Sequence, residues 1–189
     1  MKHLARKLFL VLAAGILLHV ANAQNAAKPQ APKPPSSPSQ SLLESWNDIG
    51  RKLIAMAEDF PEDKYDFKPN PSQRSFAEQL LHAAGGNYFF INPVKGVKAP
   101  EGDPKRSDFK NKAAVVEYVR KSFADGAELI KSKGDAGMND LFVDPFANQQ
   151  TRFSDGGWGI IEHSGEHYGQ LVVYYRVAGM VPPESRPKK

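Results

Sequence analysis

Apolar side chains recur at intervals of three and four residues in four segments of the chain, the spacing that places them on one face of a helix. The first predicted helix runs from about Ser41 to Glu58 and the second from Ser75 to about Ile91. The third spans Lys112 to Lys133, and the fourth begins between Thr151 and Asp155 and ends near Ala178. Four amphipathic helices bury one another's apolar faces, so the pattern predicts an all-α, up-down four-helix bundle with long connections.

One helix carries an alternative interpretation. Leu171–Val177 is apolar and β-branched enough to form a strand, but the four-residue recurrence of His163, His167 and Leu171 favours a continuous helix. Sustained alternation, the mark of a strand, is not found elsewhere in the sequence. The apolar side chains of the last connection are expected to lie on the bundle, and they are Leu141, Phe142, Val143 and Phe146.

Local signals refine this picture. Ser75, followed three residues later by Glu78, predicts a capping box at the start of the second helix. The Gly85-Gly86 pair within that helix costs roughly 1 kcal/mol per glycine relative to alanine. We therefore expect a neighbouring helix or a ligand close to the backbone there. Trp46 and Trp158 are expected in the apolar core.

The first 23 residues have the three parts of a secretory signal peptide. A basic start is followed by the apolar run Leu8–Val20 and by the small-x-small sequence Ala21-Asn22-Ala23. The apolar run has 13 residues, whereas a membrane span needs about 20. We therefore expect cleavage, export to the periplasm or the exterior, and no stable membrane span in the mature chain.

The segment after the leader is rich in proline. Residues 24–40 contain five prolines among Ala, Ser and Lys and predict a solvated, disordered linker. The helical domain is then expected to occupy residues 41–187. Removing the leader leaves 22 basic and 21 acidic side chains, and this near-neutral balance gives no reason to expect nucleic-acid binding. The chain has no cysteine, which excludes disulfides and thiolate metal sites.

Three histidines remain once the leader is removed. His82 lies within the second predicted helix, and His163 and His167 lie four residues apart on one face of the fourth. Neutral imidazoles at that spacing can bind one metal ion from the same side, and a third from another helix completes a site with a position open to water or substrate. The alternative is that each histidine is a hydrogen-bonded core side chain. The sequence suggests the three-histidine metal site.

Three further side chains are candidates near these histidines. Glu166 precedes His167 and lies one turn from His163, where it could act as a general base, as an orienting partner or as a surface charge. Gln170 and Tyr174 continue the histidine face of the same helix and could line a pocket or simply pack.

Residues 41–187 resemble the DinB-like family of bacterial metal-binding four-helix bundles. The resemblance rests on Trp46, on Phe67-Lys68-Pro69, on Arg74–Glu78 leading to Leu81-His82, and most of all on the run from His163 to Pro183. It implies that His82, His163 and His167 bind a divalent transition metal, zinc or nickel being the usual candidates. It also implies a frequent homodimer, and some relatives are thiol-dependent transferases or isomerases.

Three hypotheses follow. The chain could be a metal-dependent hydrolase or transferase that acts on an unknown small molecule through metal-activated water or thiol. It could be a non-catalytic metal or small-ligand binding module of the cell envelope. It could also be a bundle whose histidines are core polar groups, which predicts no stoichiometric metal.

Overall fold

Four α-helices, four short 3₁₀ helices and one short hairpin make up the regular structure of the computed structural model, which describes Pro34 and residues 36–187. The elements in chain order are α1 (Pro38–Asp59), α2 (Phe76–Val94), α3 (Lys112–Lys133), β1 (Leu141–Asp144), β2 (Gln149–Arg152) and α4 (Phe153–Val177). The predicted signal peptide and residues 24–33 and 35 of the predicted linker lie outside the described residues. Among the described residues, no helix is both long and apolar enough to cross a membrane.

The helix boundaries follow from local capping. Helix α1 begins at Pro38, where the Ser37 side chain caps it and proline occupies the first turn, a position that does not need its missing N–H. The prediction placed residues 38–40 in the linker, and this was wrong by almost one turn. The capping box of α2 is present, with the backbone N–H of Ser75 donating to Glu78 Oε2 at 2.6 Å.

The segment between α3 and α4 corrects the all-α prediction. Strands β1 and β2 pair antiparallel, with Leu141 opposite Arg152 and Asp144 opposite Gln149. The strands have only four residues each and one is wholly polar, so apolar alternation could not reveal them. The apolar side chains of this segment were expected on the bundle, yet Leu141, Val143 and Phe146 are 56–72% exposed. Only Phe142 of this set is partly buried, against Phe90.

The order of the helices also differs from a simple up-down bundle. Helices α1 and α2 each pack against both α3 and α4, so the consecutive helices α1 and α2 lie diagonally across the bundle. Trp46 of α1 meets Phe123 of α3, and Lys112 at the start of α3 reaches the end of α1, so these two helices are antiparallel. Leu42 lies near Gly157 and Met56 near Tyr175, so α1 and α4 are parallel.

Corresponding contacts fix the direction of α2. Asn87 and Tyr88 contact Ser122 and Asp125 in the same order along the chain, so α2 and α3 are neighbouring parallel helices. The resulting order is up, down, down, up, and the up-down prediction was wrong. Two consecutive helices that lie side by side and parallel need a connection long enough to return along the whole length of a helix. Residues 95–111 can span roughly 50 Å when extended, about twice the length of α2. This connection therefore returns along α2, which matters for the site below.

The core lies between the four helices and is largely aromatic. Trp46 is fully buried, as predicted, and its indole N–H donates to the Phe123 carbonyl at 2.8 Å. Near the other end of α1, Phe60 stacks on Phe76 with ring centroids 3.8 Å apart. Trp158 is 43% exposed, so its predicted place in the core was wrong. Its position on α4 faces outward because the inward face is taken by residues such as Ile160 and Ser164.

Candidate metal centre

The three histidines selected from the sequence lie together between α2 and α4. Each offers a donor nitrogen, and the three nitrogens all lie within 4.8 Å of one another. The ring centroids of His82 and His167 are 4.5 Å apart, and those of His163 and His167 are 4.4 Å apart. The antiparallel packing of α2 against α4 creates this cluster, since neither helix holds all three residues.

The glycine pair in α2 makes room for this arrangement. A Cβ atom at Gly86 would lie 2.6 Å from Cε1 of His163, closer than real Cβ contacts allow. A Cβ atom at Gly85 would lie 2.8 Å from Cδ of Pro104 in the connection that returns along α2. The expectation of a close neighbour at this pair is therefore confirmed. One glycine admits the imidazole of the facing helix, and the other admits the connection.

An aspartate orients the histidine of α2. Both carboxylate oxygens of Asp103 lie 2.8 Å from Nδ1 of His82, so this nitrogen carries the proton and Nε2 remains as the donor atom. A carboxylate behind an imidazole is the usual support of a metal-binding histidine. Asp103 also forms an ion pair with Arg74 at 3.2 Å.

Two amides support His167. Nε2 of Gln79 lies 2.5 Å from Nδ1 of His167 and 2.6 Å from Oε1 of Gln170. In this orientation the amide donates to Nδ1, which leaves the ring proton on Nε2. For Nε2 to bind a metal ion, Nδ1 must hold the proton, and a half-turn of the Gln79 amide then presents Oε1 as its acceptor. Gln79 can therefore support His167 in either tautomer.

The imidazoles of α4 are neutral at physiological pH. Burial, followed by the nearby imidazoles of His163 and His82, lowers the pKa of His167 to about 4. Burial and the charge of His82 also lower the pKa of His163. A neutral imidazole is the form that binds a metal ion. The surroundings of His163 and His167 therefore keep these two imidazoles in their neutral form.

The donor set fits a divalent transition ion. Nε2 of His163 and Nε2 of His167 are 3.0 Å apart, near the roughly 3.3 Å that tetrahedral Zn–N bonds of about 2.0 Å require. Nδ1 of His163 is buried and has no hydrogen-bond partner among the described residues. Since a buried polar atom without a partner is costly, the cluster is not a fully satisfied core network.

The other predicted site residues have different surroundings. Glu166 is exposed and is not among the side chains whose donor atoms converge, so its role as a base stays a prediction. Gln170 is held by Gln79, at the edge of the cluster. Tyr174 is buried, and its hydroxyl donates to the backbone carbonyl of Arg74 at 2.6 Å, so it joins α4 to the start of α2.

Sequence reasoning missed the residues that hold the histidines in place. Gln79 lies three residues before His82, and helical spacing alone could have placed it on the histidine face. Asp103 gave no such signal, because it lies in a polar connection 21 residues beyond His82. Only the return of that connection along α2 brings Asp103 to the site.

Comparison with known proteins identifies the family. The family model described as the DinB superfamily matches residues 45–171, which include all three histidines. No curated protein sequence matches the chain.

Solved structures share the fold. A DinB-like protein from Bacillus cereus ATCC 10987 is 20% identical and superposes with a TM-score of 0.63, over 76% of this chain and 95% of its own. YfiT from Bacillus subtilis, described as a probable metal-dependent hydrolase with an unusual four-helix bundle topology, is 13% identical. Its TM-score is 0.62, over 81% of this chain and 94% of its own. At these identities the likeness establishes the fold alone.

Proposed function

Because this chain belongs to the DinB superfamily, we propose that it is an exported metal-dependent hydrolase or transferase. His82, His163 and His167 would hold one divalent transition ion, zinc or nickel. The observation that carries this proposal is the convergence of three donor nitrogens within 4.8 Å, two of them on imidazoles kept neutral by their surroundings. The description of YfiT as a probable metal-dependent hydrolase supports the choice of reaction class.

Different residues of the chain would bind the ion, orient its ligands and supply a base. The three imidazoles bind the ion, while Asp103 holds His82 and Gln79 holds His167 in the orientation that directs Nε2 inward. A divalent ion held by three nitrogens supplies a Lewis acid that can activate water or a thiol at neutral pH. Glu166, whose charge favours protonation of His163 and so acts to raise its pKa, is the candidate base. As an exposed side chain it must rotate toward the cluster to act.

A second function is a non-catalytic metal or small-ligand binding module. It is favoured by the lack of a positioned base among the described residues. Among those residues, Asp103 is the only acidic side chain that hydrogen-bonds a histidine of the cluster. Its carboxylate is already engaged with His82 and Arg74. Replacement of Glu166 by glutamine separates the two functions, since it would abolish turnover in the enzyme and change nothing in the binding module.

Metal content is the first test. The protein, purified without a histidine tag, is expected to contain about one zinc or nickel ion per chain by elemental analysis. His163→Ala should lose the ion while helical circular dichroism persists, and Glu162→Ala, an exposed change on the same helix, should retain it. If neither metal binds the wild-type protein even after incubation, both metal functions are wrong. The histidines are then core polar groups.

Export and assembly belong to the same proposal. The sequence pattern of residues 1–23, which predicts a signal peptide, supports export, and mass spectrometry of the secreted or periplasmic protein should find Gln24 at the N-terminus. A protein retained in the cytoplasm with its leader intact would contradict this. A homodimer is the expected assembly, and light scattering of the purified protein decides between one and two chains.

A further inference from the structure

A second feature lies directly beside the histidine cluster. Residues 68–74, before α2, and residues 103–107, in the connection that returns along α2, form the main walls of a surface cavity of about 610 Å³. Cavities of this size hold small-molecule ligands. Asp103 belongs to both features, because it lines the cavity and also holds Nδ1 of His82. The histidine centre and the cavity are therefore separated by a single side chain.

The lining of the cavity is basic. It has two acidic side chains, Glu78 and Asp103, and four basic ones, which are Lys68, Arg74, Lys105 and Arg106. This leaves a formal excess of two positive charges among the lining side chains, one of which, on Arg106, is paired with Asp66 outside the lining.

Both carboxylates already have partners. Glu78 accepts from the backbone N–H of Ser75 in the capping box of α2, and Asp103 is shared between His82 and Arg74. Lys105 has no ion-pair partner among the described residues, and the contact between Lys68 and Glu78 is long, at 3.6 Å. The Lys105 ammonium is thus available to a ligand, and the Lys68 ammonium is held only by its long contact with Glu78, while the Arg74 guanidinium lines the same cavity.

The walls that carry these cations are held in place. Pro104 packs against Gly85 of α2, and the carbonyl of Arg74 accepts from the buried hydroxyl of Tyr174. The side chain of Arg106 donates to Asp66 and to the carbonyl of Phe109, which ties the connection to the segment before α2. A charged cavity whose backbone is already ordered binds a ligand with less loss of conformational entropy.

We propose that this cavity binds the anionic group, a carboxylate or a phosphate, of the small molecule on which the histidine centre acts. The inference rests on the proposed function and adds a substrate class, small organic anions. Lys68 and Lys105 bind the anion as point charges, and Arg74 offers a guanidinium suited to two parallel hydrogen bonds. The anion is then held one side chain away from His82, with the rest of the molecule free to extend toward the three imidazoles.

Isothermal titration calorimetry of the purified protein tests this inference. The protein is first stripped of metal and dialysed free of chelator, so that an anion cannot be bound by an ion at the histidines. Inorganic phosphate and succinate are the two probes, titrated at low ionic strength because salt screens exposed charges. Saturable binding of either probe at one site per chain supports the inference, and the preferred probe identifies the anionic group.

Two pairs of variants locate the binding site. Lys68→Gln with Lys105→Gln should weaken probe binding at least tenfold, the loss expected from removing charge-assisted contacts. Lys98→Gln with Lys131→Gln removes the same charge at exposed positions outside the cavity and should change affinity less than twofold. Absence of saturable binding, or equal losses in the two pairs, would overturn the anion site.

The histidine centre is tested separately. His163→Ala should retain probe binding and lose zinc, because His163 does not line the cavity. Zinc binding without probe binding would overturn the anion site alone. Probe binding without zinc or nickel binding would overturn the proposed function and leave only an anion site.

Discussion

Two helix interfaces of the bundle each place a glycine against a ring of the facing helix, but the two interfaces have different roles. Between α1 and α3, the indole of Trp46 lies against Gly126, where a Cβ atom would overlap the ring. Between α2 and α4, the imidazole of His163 lies against Gly86 in the same way. In each case a glycine lets a ring of the facing helix approach the backbone closely.

The two rings differ in their polar atoms. The Trp46 N–H donates to the carbonyl of Phe123, so the α1–α3 interface buries no unpaired donor on this ring. The His163 ring has Nδ1 without a partner among the described residues, and its Nε2 meets only another imidazole. In the first interface the protein itself supplies the hydrogen-bond partner of the ring, so this interface contributes to stability. The second leaves Nδ1 of His163 unpaired and brings imidazole nitrogens of three histidines together, an arrangement that a metal ion would complete.

The largest expected effect on stability comes from a substitution that disrupts the α1–α3 interface. Trp46→Ala should lower the free energy of unfolding by about 3–5 kcal/mol, because it removes a fully buried indole and leaves a cavity. Urea denaturation followed by circular dichroism measures this. Trp158→Ala is the matched control and should cost less than about 1 kcal/mol, since that side chain is 43% exposed. Equal losses would mean that the two tryptophans do not differ as the structure indicates.

A pH titration examines the α2–α4 interface in the metal-free protein. The folded-state pKa of His167, about 4, lies below the 6.5 of an unperturbed histidine. The unfolded chain therefore binds the proton first, and the free energy of unfolding should fall as the pH drops from about 6.5 to about 4. The loss is at most about 3 kcal/mol. Denaturation at pH 7.5 and pH 4.5 should show a smaller loss in His167→Gln, and equal losses would contradict the assignment.

The support of the cluster is tested by the carboxylate behind His82. Asp103→Asn should weaken zinc binding by about 10–100-fold, the usual effect of removing the partner of a metal-binding histidine. Competition with a chromogenic chelator measures the affinity. Asp108→Asn changes an exposed carboxylate of the same connection and should leave zinc binding unchanged. If both variants bind zinc as the wild type does, Asp103 does not orient the site.

The smallest expected effect concerns the glycine that admits His163. Gly86→Ala should weaken zinc binding by about tenfold, because the added methyl group displaces the His163 ring while alanine favours the helix by roughly 1 kcal/mol. Gly169→Ala adds a methyl group into open space on α4 and should raise stability without changing zinc affinity. Unchanged zinc binding in Gly86→Ala would show that close approach at this position is not needed.

The sequence predicted the helices more accurately than it predicted the connections between them. The bounds of α3 were predicted correctly, because its apolar spacing is regular and Gly134 ends it with a positive φ of 53°. The start of α1 was predicted three residues late, since Pro38 was taken as part of a proline-rich linker rather than as a residue of the first helical turn. The hairpin was missed because backbone pairing, not apolar pattern, creates it.

The sequence by itself determined the helices, the capping box of α2 and the identity of the three histidines. These features are local, because they depend on periodicity, on capping residues and on the small number of histidines after the predicted leader. Only the tertiary structure decided the up-down-down-up order of the helices and the placement of Asp103 beside His82. It also decided that the hydroxyl of Tyr174 donates to the carbonyl of Arg74, at the start of α2. Helix order and the paths of connections depend on contacts between residues far apart in the chain. The local spacing of apolar residues does not determine those contacts.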